Sequence, residues 1–157
     1  MITVSDALPE DIAPWLAFAE NIREEFPGLE TEEDFLSYKE MLVVCIRNKG
    51  AICAKEDGRV IGVLLYSMEL SMVGCLAVDA SYRRRHIATR MMERMKKKLG
   101  AEAAIEVTTY REGDKKGAAA RKFYESQGFL PAELGVEYGY PVQRLVCHPG
   151  KKESGLL

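Results

Sequence analysis

The sequence predicts a single-domain α/β fold in which helices cover both faces of a mixed, mostly antiparallel sheet of about seven strands. Two observations predict it. The chain has 157 residues, enough for one domain with a substantial core. Its patterns follow the order β-α-α-β-β-β-α-β-α-β-β, and strands that alternate with helices in the second half are typical of a mixed sheet covered on both faces. No internal repeat or linker divides it.

The first fifty residues predict one strand and two helices. A strand is expected over Ile2–Leu8, and a helix after Pro9. That helix has an apolar stripe and ends at Pro27-Gly28; the stripe is formed by Trp15, Phe18, Ala19, Ile22 and Phe26. Thr31 to Asp34 resembles a capping box, which starts the second helix. Gly50 ends it after a second stripe, formed by Phe35, Tyr38, Leu42, Cys45 and Ile46.

After residue 50 the spacing of apolar residues changes from a helical to a strand-like pattern, which predicts the remaining elements. Asp57-Gly58 predicts a hairpin turn between two strands. The predicted strands are Ala51–Lys55, Val60–Tyr66, Leu70–Val78, Ala103–Thr109, Phe129–Val136 and Val142–Cys147. Helices are predicted over Arg84–Leu99, whose methionines form a core stripe, and over Ala118–Gln127. The domain is expected to span residues 1–148, with a polar tail over 149–157.

Charge and composition exclude several classes of protein. Lys plus Arg number 22 against 24 Asp plus Glu, with pI ≈ 5.8, whereas a general nucleic-acid binder is normally basic overall. No apolar run approaches the roughly 18 residues that span a bilayer, and Met1 to Glu10 lacks a signal-peptide pattern. We therefore expect no nucleic-acid or membrane partner, and a cytoplasmic location.

The four cysteines and two histidines do not form a metal-binding pattern. No C-x-x-C pair occurs, and each cysteine lies in an apolar or strand-like segment. Free buried thiols are therefore expected, and no metal.

The stretch DASYRRRHIATRMMERM, residues 79–95, contains three consecutive arginines. They follow an apolar strand and precede a helix, where unpaired backbone N–H groups and the helix dipole attract anions. Arginine binds phosphate through two donors at once. A solvated basic turn is the alternative for an isolated arginine run, but the strand-loop-helix context favours a phosphate or pyrophosphate site.

The arginine stretch resembles a motif of the GNAT superfamily of acyl-CoA-dependent N-acetyltransferases. That motif, R/Q-x-x-G-x-G/A, matches Arg83-Arg84-Arg85-His86-Ile87-Ala88. The resemblance implies that the turn from Arg83 to Thr89 holds the pyrophosphate of coenzyme A. His86 replaces the usual glycine, and histidine tolerates the backbone dihedrals that glycine permits there better than most residues do.

A second motif strengthens the resemblance. AAARKFYESQGF, residues 118–129, is similar to the family segment A-x-x-F/L-Y-x-x-x-G-F. The resemblance makes Tyr124 the residue beside the sulfur of coenzyme A, able to protonate the departing thiolate, while Phe123 is expected in the core. The family's frequent asparagine seven residues before this tyrosine is replaced by Gly117, and the loop over residues 110–116 is longer than in compact members.

The resemblance also implies the remaining geometry of the site. The fourth and fifth strands should splay apart, and backbone N–H groups of Leu76, Ala77 and Val78 should hold the pantetheine and the thioester oxygen. The same three residues would otherwise be ordinary core strand.

For the general base, Glu106 is the first choice, because it is a lone carboxylate in an apolar strand. Members that acetylate protein N-termini carry Leu-Glu-Val at this point. The alternative places Glu106 on an exposed strand face. Glu69 is the second choice and water the third; a base position of histone-acetylating relatives falls on Met72.

Together these features predict transfer of an acetyl group from acetyl-CoA to a primary amine by direct attack in a ternary complex. A non-catalytic acyl-CoA-binding module is the alternative. The acceptor is a small-molecule or protein amine. Glutamates at 20, 24, 25, 30, 32 and 33 suit a cationic acceptor, and a solvated helix face explains them equally well. A homodimer through the last strands is common in the family and is left open.

Overall fold

The computed structural model describes residues 1–25, 29–100 and 102–148. They form a seven-stranded sheet of order β1-β2-β3-β4-β5-β7-β6. The strands are β1 Ile2–Asp6, β2 Ala51–Glu56, β3 Arg59–Ser67, β4 Met72–Val78, β5 Ile105–Tyr110, β6 Phe129–Glu137 and β7 Tyr140–Cys147. The helices are α1 Ile12–Ile22, α2 Glu32–Arg47, α3 Ile87–Leu99 and α4 Ala118–Ser126. All strand pairs are antiparallel except β4 with β5.

Helices pack on both faces of the sheet, which confirms the predicted fold class. The methionine stripe of α3 and Tyr124 of α4 lie in one apolar cluster with Ile105, Phe129 and Leu145. Trp15, Tyr38 and Leu42 of α1 and α2 form the other, against the opposite face of β2 and β3. No helix in the described ranges is long and apolar enough to cross a membrane.

Local signals determine most element ends. The Thr31 side chain accepts a hydrogen bond from the backbone N–H of Asp34 at 3.0 Å, as the capping pattern predicts. Asp57 and Gly58 both have positive φ, 51° and 79°, which a two-residue turn of this kind requires. Gly50 is required by packing, because a Cβ there would collide with the carbonyl oxygen of Tyr66.

Some boundaries differ from the sequence prediction. The helix predicted from Arg84 begins at Ile87, because Arg84 and His86 have left-handed dihedrals with φ of 67° and 60°. The strand predicted from Leu70 begins at Met72, after Ser71 with φ of 52°. The expected helix end at Phe26 to Gly28 and the tail over 149–157 lie outside the described residues.

The central strands β4 and β5 separate, as the resemblance implied. Their parallel pairing covers only Met72 with Glu106 and Val73 with Val107. The register of β4 against β3 shifts at the same place, between Val73 and Cys75, so Gly74 is a bulge. Beyond it, the side of β4 that faces β5 has no strand partner among the described residues, and a gap opens through the sheet.

Candidate active site

The gap between β4 and β5 opens into a cleft of about 1000 Å³. One wall consists of β4 and the turn before α3; it includes Leu76, Ala77, Val78, Arg83, Arg84, His86, Ile87, Ala88 and Thr89. The opposite wall is α4 with the end of β5, and α2 reaches the cleft from the other face of the sheet. The cleft therefore joins the arginine turn to the point where the strands part.

The backbone and charge of the arginine turn are suited to an anion. Asp79 caps it by accepting a hydrogen bond from the backbone N–H of Ser81 at 2.8 Å. The first bond of α3 runs from Arg90 N to His86 O at 3.0 Å, and no side chain caps the helix. The N–H groups of Ile87 to Thr89 therefore have no helical partner and lie at the cleft. A pyrophosphate would satisfy them and would pair with the exposed guanidinium groups of the preceding turn.

His86 occupies the glycine position of the motif and adopts a left-handed backbone conformation that glycine readily adopts. Its φ of 60° and ψ of 23° place it in the left-handed region. Such dihedrals are uncommon outside glycine, and histidine is among the residues enriched there. The substitution therefore preserves the backbone path of the turn.

Arg85 lies apart from the other two arginines and does not line the cleft. Its guanidinium sits 5.1 Å from the centre of the Tyr82 ring. The Tyr82 hydroxyl donates a 2.6 Å hydrogen bond to the carboxylate of Glu56. This contact ties the turn to the hairpin between β2 and β3, and hydrogen bonding to Glu56 raises the pKa of Tyr82.

Tyr124 extends from α4 into the cleft. Its side chain is 4 % exposed, and its ring lies edge-on to Phe129 at 5.5 Å. No described residue bonds to its hydroxyl, yet no fully occluded side-chain oxygen in the described ranges lacks a partner. The hydroxyl therefore reaches the cleft. Burial, with a smaller contribution from Cys75, raises the pKa of Tyr124, so it is protonated at neutral pH. Phe123, expected in the core, also lines the cleft.

Two further cleft residues escaped the sequence analysis. Tyr38 of α2 and Cys75 of β4 line the cleft where the strands part. The Tyr38 hydroxyl accepts a 2.8 Å hydrogen bond from Trp15 Nε1 and lies close enough to the Cys75 thiol to offset part of the rise in its pKa that burial causes. Tyr38 has the helical spacing of a core residue, and Cys75, expected as a buried thiol, is half-buried. Nothing in the sequence distinguishes either from its apolar neighbours.

Glu106 lies outside this constellation. It is paired with Met72, one pair before the last contact between the two strands at Val73 and Val107, and it does not line the cleft. Its carboxylate forms an ion pair with Arg144 of β7, which also binds Glu133. Thr108, two residues further on the same face of β5, does line the cleft. Glu69 is exposed on the turn between β3 and β4.

The acidic first helices border the cleft but are partly neutralised. Arg23 forms ion pairs with Glu20 and Glu32 at 3.0 and 3.1 Å. Lys116, from the loop after β5, lies beside the same glutamates. Gly117, at the family's asparagine position, packs against the Tyr110 ring, where a side chain would collide.

A family model described as "Acetyltransferase (GNAT) family" matches residues 15–129. The chain belongs to this family. The match extends from α1 through the arginine turn to the end of α4, and so includes both motifs. No curated protein matches the sequence closely enough to count as a relative.

Solved structures of other family members share the fold. A GNAT acetyltransferase from Staphylococcus aureus aligns with a TM-score of 0.72 and 16% identity, covering 94% of this chain and 99% of that chain. The ribosomal-protein-S18-alanine N-acetyltransferase from Escherichia coli gives 0.68 and 20%, covering 95% and 94%. The PaiA N-acetyltransferase from Thermoplasma acidophilum, solved with coenzyme A, gives 0.65 and 18%, covering 94% and 99%.

Proposed function

We propose that this GNAT protein transfers an acetyl group from acetyl-CoA to a primary amine by direct attack in a ternary complex. One observation carries the proposal. A single cleft connects an anion-binding turn to a gap in the sheet, and an unbonded tyrosine hydroxyl lies at that gap. A site that only held coenzyme A would not need a proton donor there.

The binding half of the proposal assigns coenzyme A to the wall made of β4 and the turn. Arg83, Arg84 and the N–H groups from His86 to Thr89 bind the pyrophosphate. The backbone of Leu76, Ala77 and Val78 holds the pantetheine and the thioester oxygen, since this edge of β4 lacks a strand partner. Arg85 supports the turn through Tyr82.

The chemical half assigns the proton transfers. The amine nitrogen attacks the thioester carbon, the carbon–sulfur bond breaks, and Tyr124 gives its proton to the departing thiolate. The N–H proton that the nitrogen loses as the amide forms restores the Tyr124 hydroxyl. The amine must lose a proton first. Glu106 serves as the base through water, because it lies two residues from the cleft residue Thr108 on the same face of β5, about 7 Å away. Glu69 and water alone are the alternatives.

The acceptor side lies between α2 and the hairpin of β6 and β7. Asp34, Ser37 and Glu137 line this mouth of the cleft together with Lys116. A primary amine on a small molecule or on a protein suits the mouth, and the similar structures include N-acetyltransferases. The exposed acidic groups favour an acceptor that carries positive charge.

Acyl transfer can be tested by measuring free thiol from acetyl-CoA with and without a panel of amines, with the mass of each amine recorded. Amine-dependent thiol release and a gain of one acetyl group are expected. Calorimetry would run in parallel. Tight acetyl-CoA binding with no transfer to any amine would establish the alternative, a non-catalytic acyl-CoA-binding module.

Other expectations from the sequence stay predictions. These are a cytoplasmic location, the absence of nucleic-acid and membrane partners, and the use of no metal. A homodimer through the last strands is a further one. Such a dimer would use β6, which is an edge strand and exposes Leu130, Leu134 and Val136.

A further inference from the structure

We propose that Cys75 limits the length of the acyl group that this protein accepts, and so selects acetyl over longer acyl chains. The inference rests on the proposed function and deepens it. It starts from the position of Cys75, directly after the bulge at Gly74, where β4 loses its pairing with β5.

Cys75 borders both layers of the protein through the gap in the sheet. It packs against the cluster of α1 and α2. It also lies near Tyr124, which belongs to the cluster on the opposite face. Tyr38, Cys75 and Tyr124 thus surround the gap from α2, β4 and α4, and all three line the cleft. An acyl chain whose thioester sulfur lies beside Tyr124 extends into this gap toward Cys75.

The Cys75 thiol lies beside Tyr38, whose hydroxyl is itself bonded to Trp15. Trp15 is fully buried, and its indole N–H binds the Tyr38 hydroxyl at 2.8 Å. Because the indole can only donate, the Tyr38 hydroxyl is free to donate its own proton to the Cys75 sulfur. These neighbours pack the sulfur beside the gap, where its volume would limit the length of the acyl chain.

Cys75 is poorly suited to a covalent role. Burial raises its pKa to about 11, which the hydrogen bond from Tyr38 only partly offsets. The thiol is therefore protonated near neutral pH, and a protonated thiol is a weak nucleophile. A steric role needs no ionisation and agrees with direct attack by the amine.

Removing the sulfur should extend the gap by about one methylene, and one methylene in an apolar pocket changes discrimination by roughly 10- to 200-fold. Cys75→Ala should therefore lower the ratio of kcat/KM for acetyl-CoA over propionyl-CoA by about 10-fold or more. Cys75→Ser keeps a hydrogen-bond acceptor of similar size and should retain the preference. Tyr38 keeps its bond to Trp15 in both variants, so folding should survive.

The matched control is Cys45→Ala, which removes another half-buried thiol near Tyr38 that does not line the cleft. Turnover with both thioesters is measured beside calorimetric affinities of both, determined without an amine. A shifted preference in Cys75→Ala alone supports the inference. Wild-type binding of acetyl-CoA with an unchanged preference in Cys75→Ala overturns the inference and leaves the proposed function intact. If wild-type protein bound neither thioester, the proposed function would fail as well.

Discussion

Tyr124→Phe separates catalysis from packing more sharply than any other single change in this cleft. The substitution removes one oxygen and keeps the ring, which contacts Phe129 and Phe123 at 5.5 and 5.8 Å. Because no described residue bonds to the hydroxyl, the usual net loss of about 1 kcal/mol per hydrogen bond does not apply. The free energy of unfolding should therefore change by less than about 1 kcal/mol.

Activity should respond much more strongly than stability. A positioned general acid contributes roughly 10²- to 10⁴-fold, or about 3–5 kcal/mol of transition-state stabilisation at 1.36 kcal/mol per tenfold. Turnover should fall by this factor if thiolate departure limits the rate. The affinity for acetyl-CoA should stay nearly the same, because the proposed contacts with the cofactor's pyrophosphate lie in the turn before α3.

The assay combines steady-state thiol release, calorimetric binding of acetyl-CoA and thermal unfolding. Tyr140→Phe is a useful control, since Tyr140 lies outside the gap and its hydroxyl is bonded to Asp114 at 2.8 Å. Full activity in a stable Tyr124→Phe protein would refute the acid role and leave protonation to water. A large loss of stability with normal residual activity would make Tyr124 a core residue instead.

Three other changes test separate parts of the molecule. Arg83→Ala should weaken acetyl-CoA binding roughly 5- to 150-fold, the effect of one lost charged contact; unchanged calorimetric affinity would contradict the anion site. Glu106→Gln should lower turnover at pH 7 with partial recovery at pH 9, where more amine is neutral, whereas an unaltered pH–rate profile would leave Glu106 a partner of Arg144. Burial raises the pKa of Asp6, but hydrogen bonds from Lys98 and Arg94 outweigh it and hold the pKa below its usual value. Asp6 thus stabilises the fold above about pH 4 and less as pH falls. Asp6→Asn should therefore melt about 2–4 °C lower at pH 7, and the difference should shrink in acid; an equal deficit at both pH values would exclude the ionic cause.

Local patterns in the sequence were sufficient for the elements and for both motifs. The apolar period of α3, the Asp57-Gly58 turn and the cap at Thr31 act within a few residues of the chain, so they can be recognised without the fold. The same periodicity predicts a start of α3 at Arg84, three residues before the observed start at Ile87. The left-handed dihedrals of Arg84 and His86 are not apparent from the helical period alone.

The face on which a strand residue lies in a mixed sheet depends on its partners. Glu106 could equally be an exposed or a cleft residue by its alternation with apolar neighbours. Pairing of β5 with β7 brought it beside Arg144, whose sequence separation from Glu106 is 38 residues. Ion pairs of this kind have no local signature, so the sequence could name the carboxylate but not its surroundings.

The order of the elements, the arginine turn and the tyrosine of α4 can be predicted from the sequence alone, because short-range periodicity and motif spacing encode them. The surroundings of the gap between β4 and β5 become visible only in the folded protein. Tyr38, Cys75 and Tyr124 come from three distant segments, and they meet because the bulge at Gly74 ends the pairing of the central strands. Such contacts depend on how the layers pack over a splayed sheet, and side-chain packing between distant segments leaves no periodic trace in the chain.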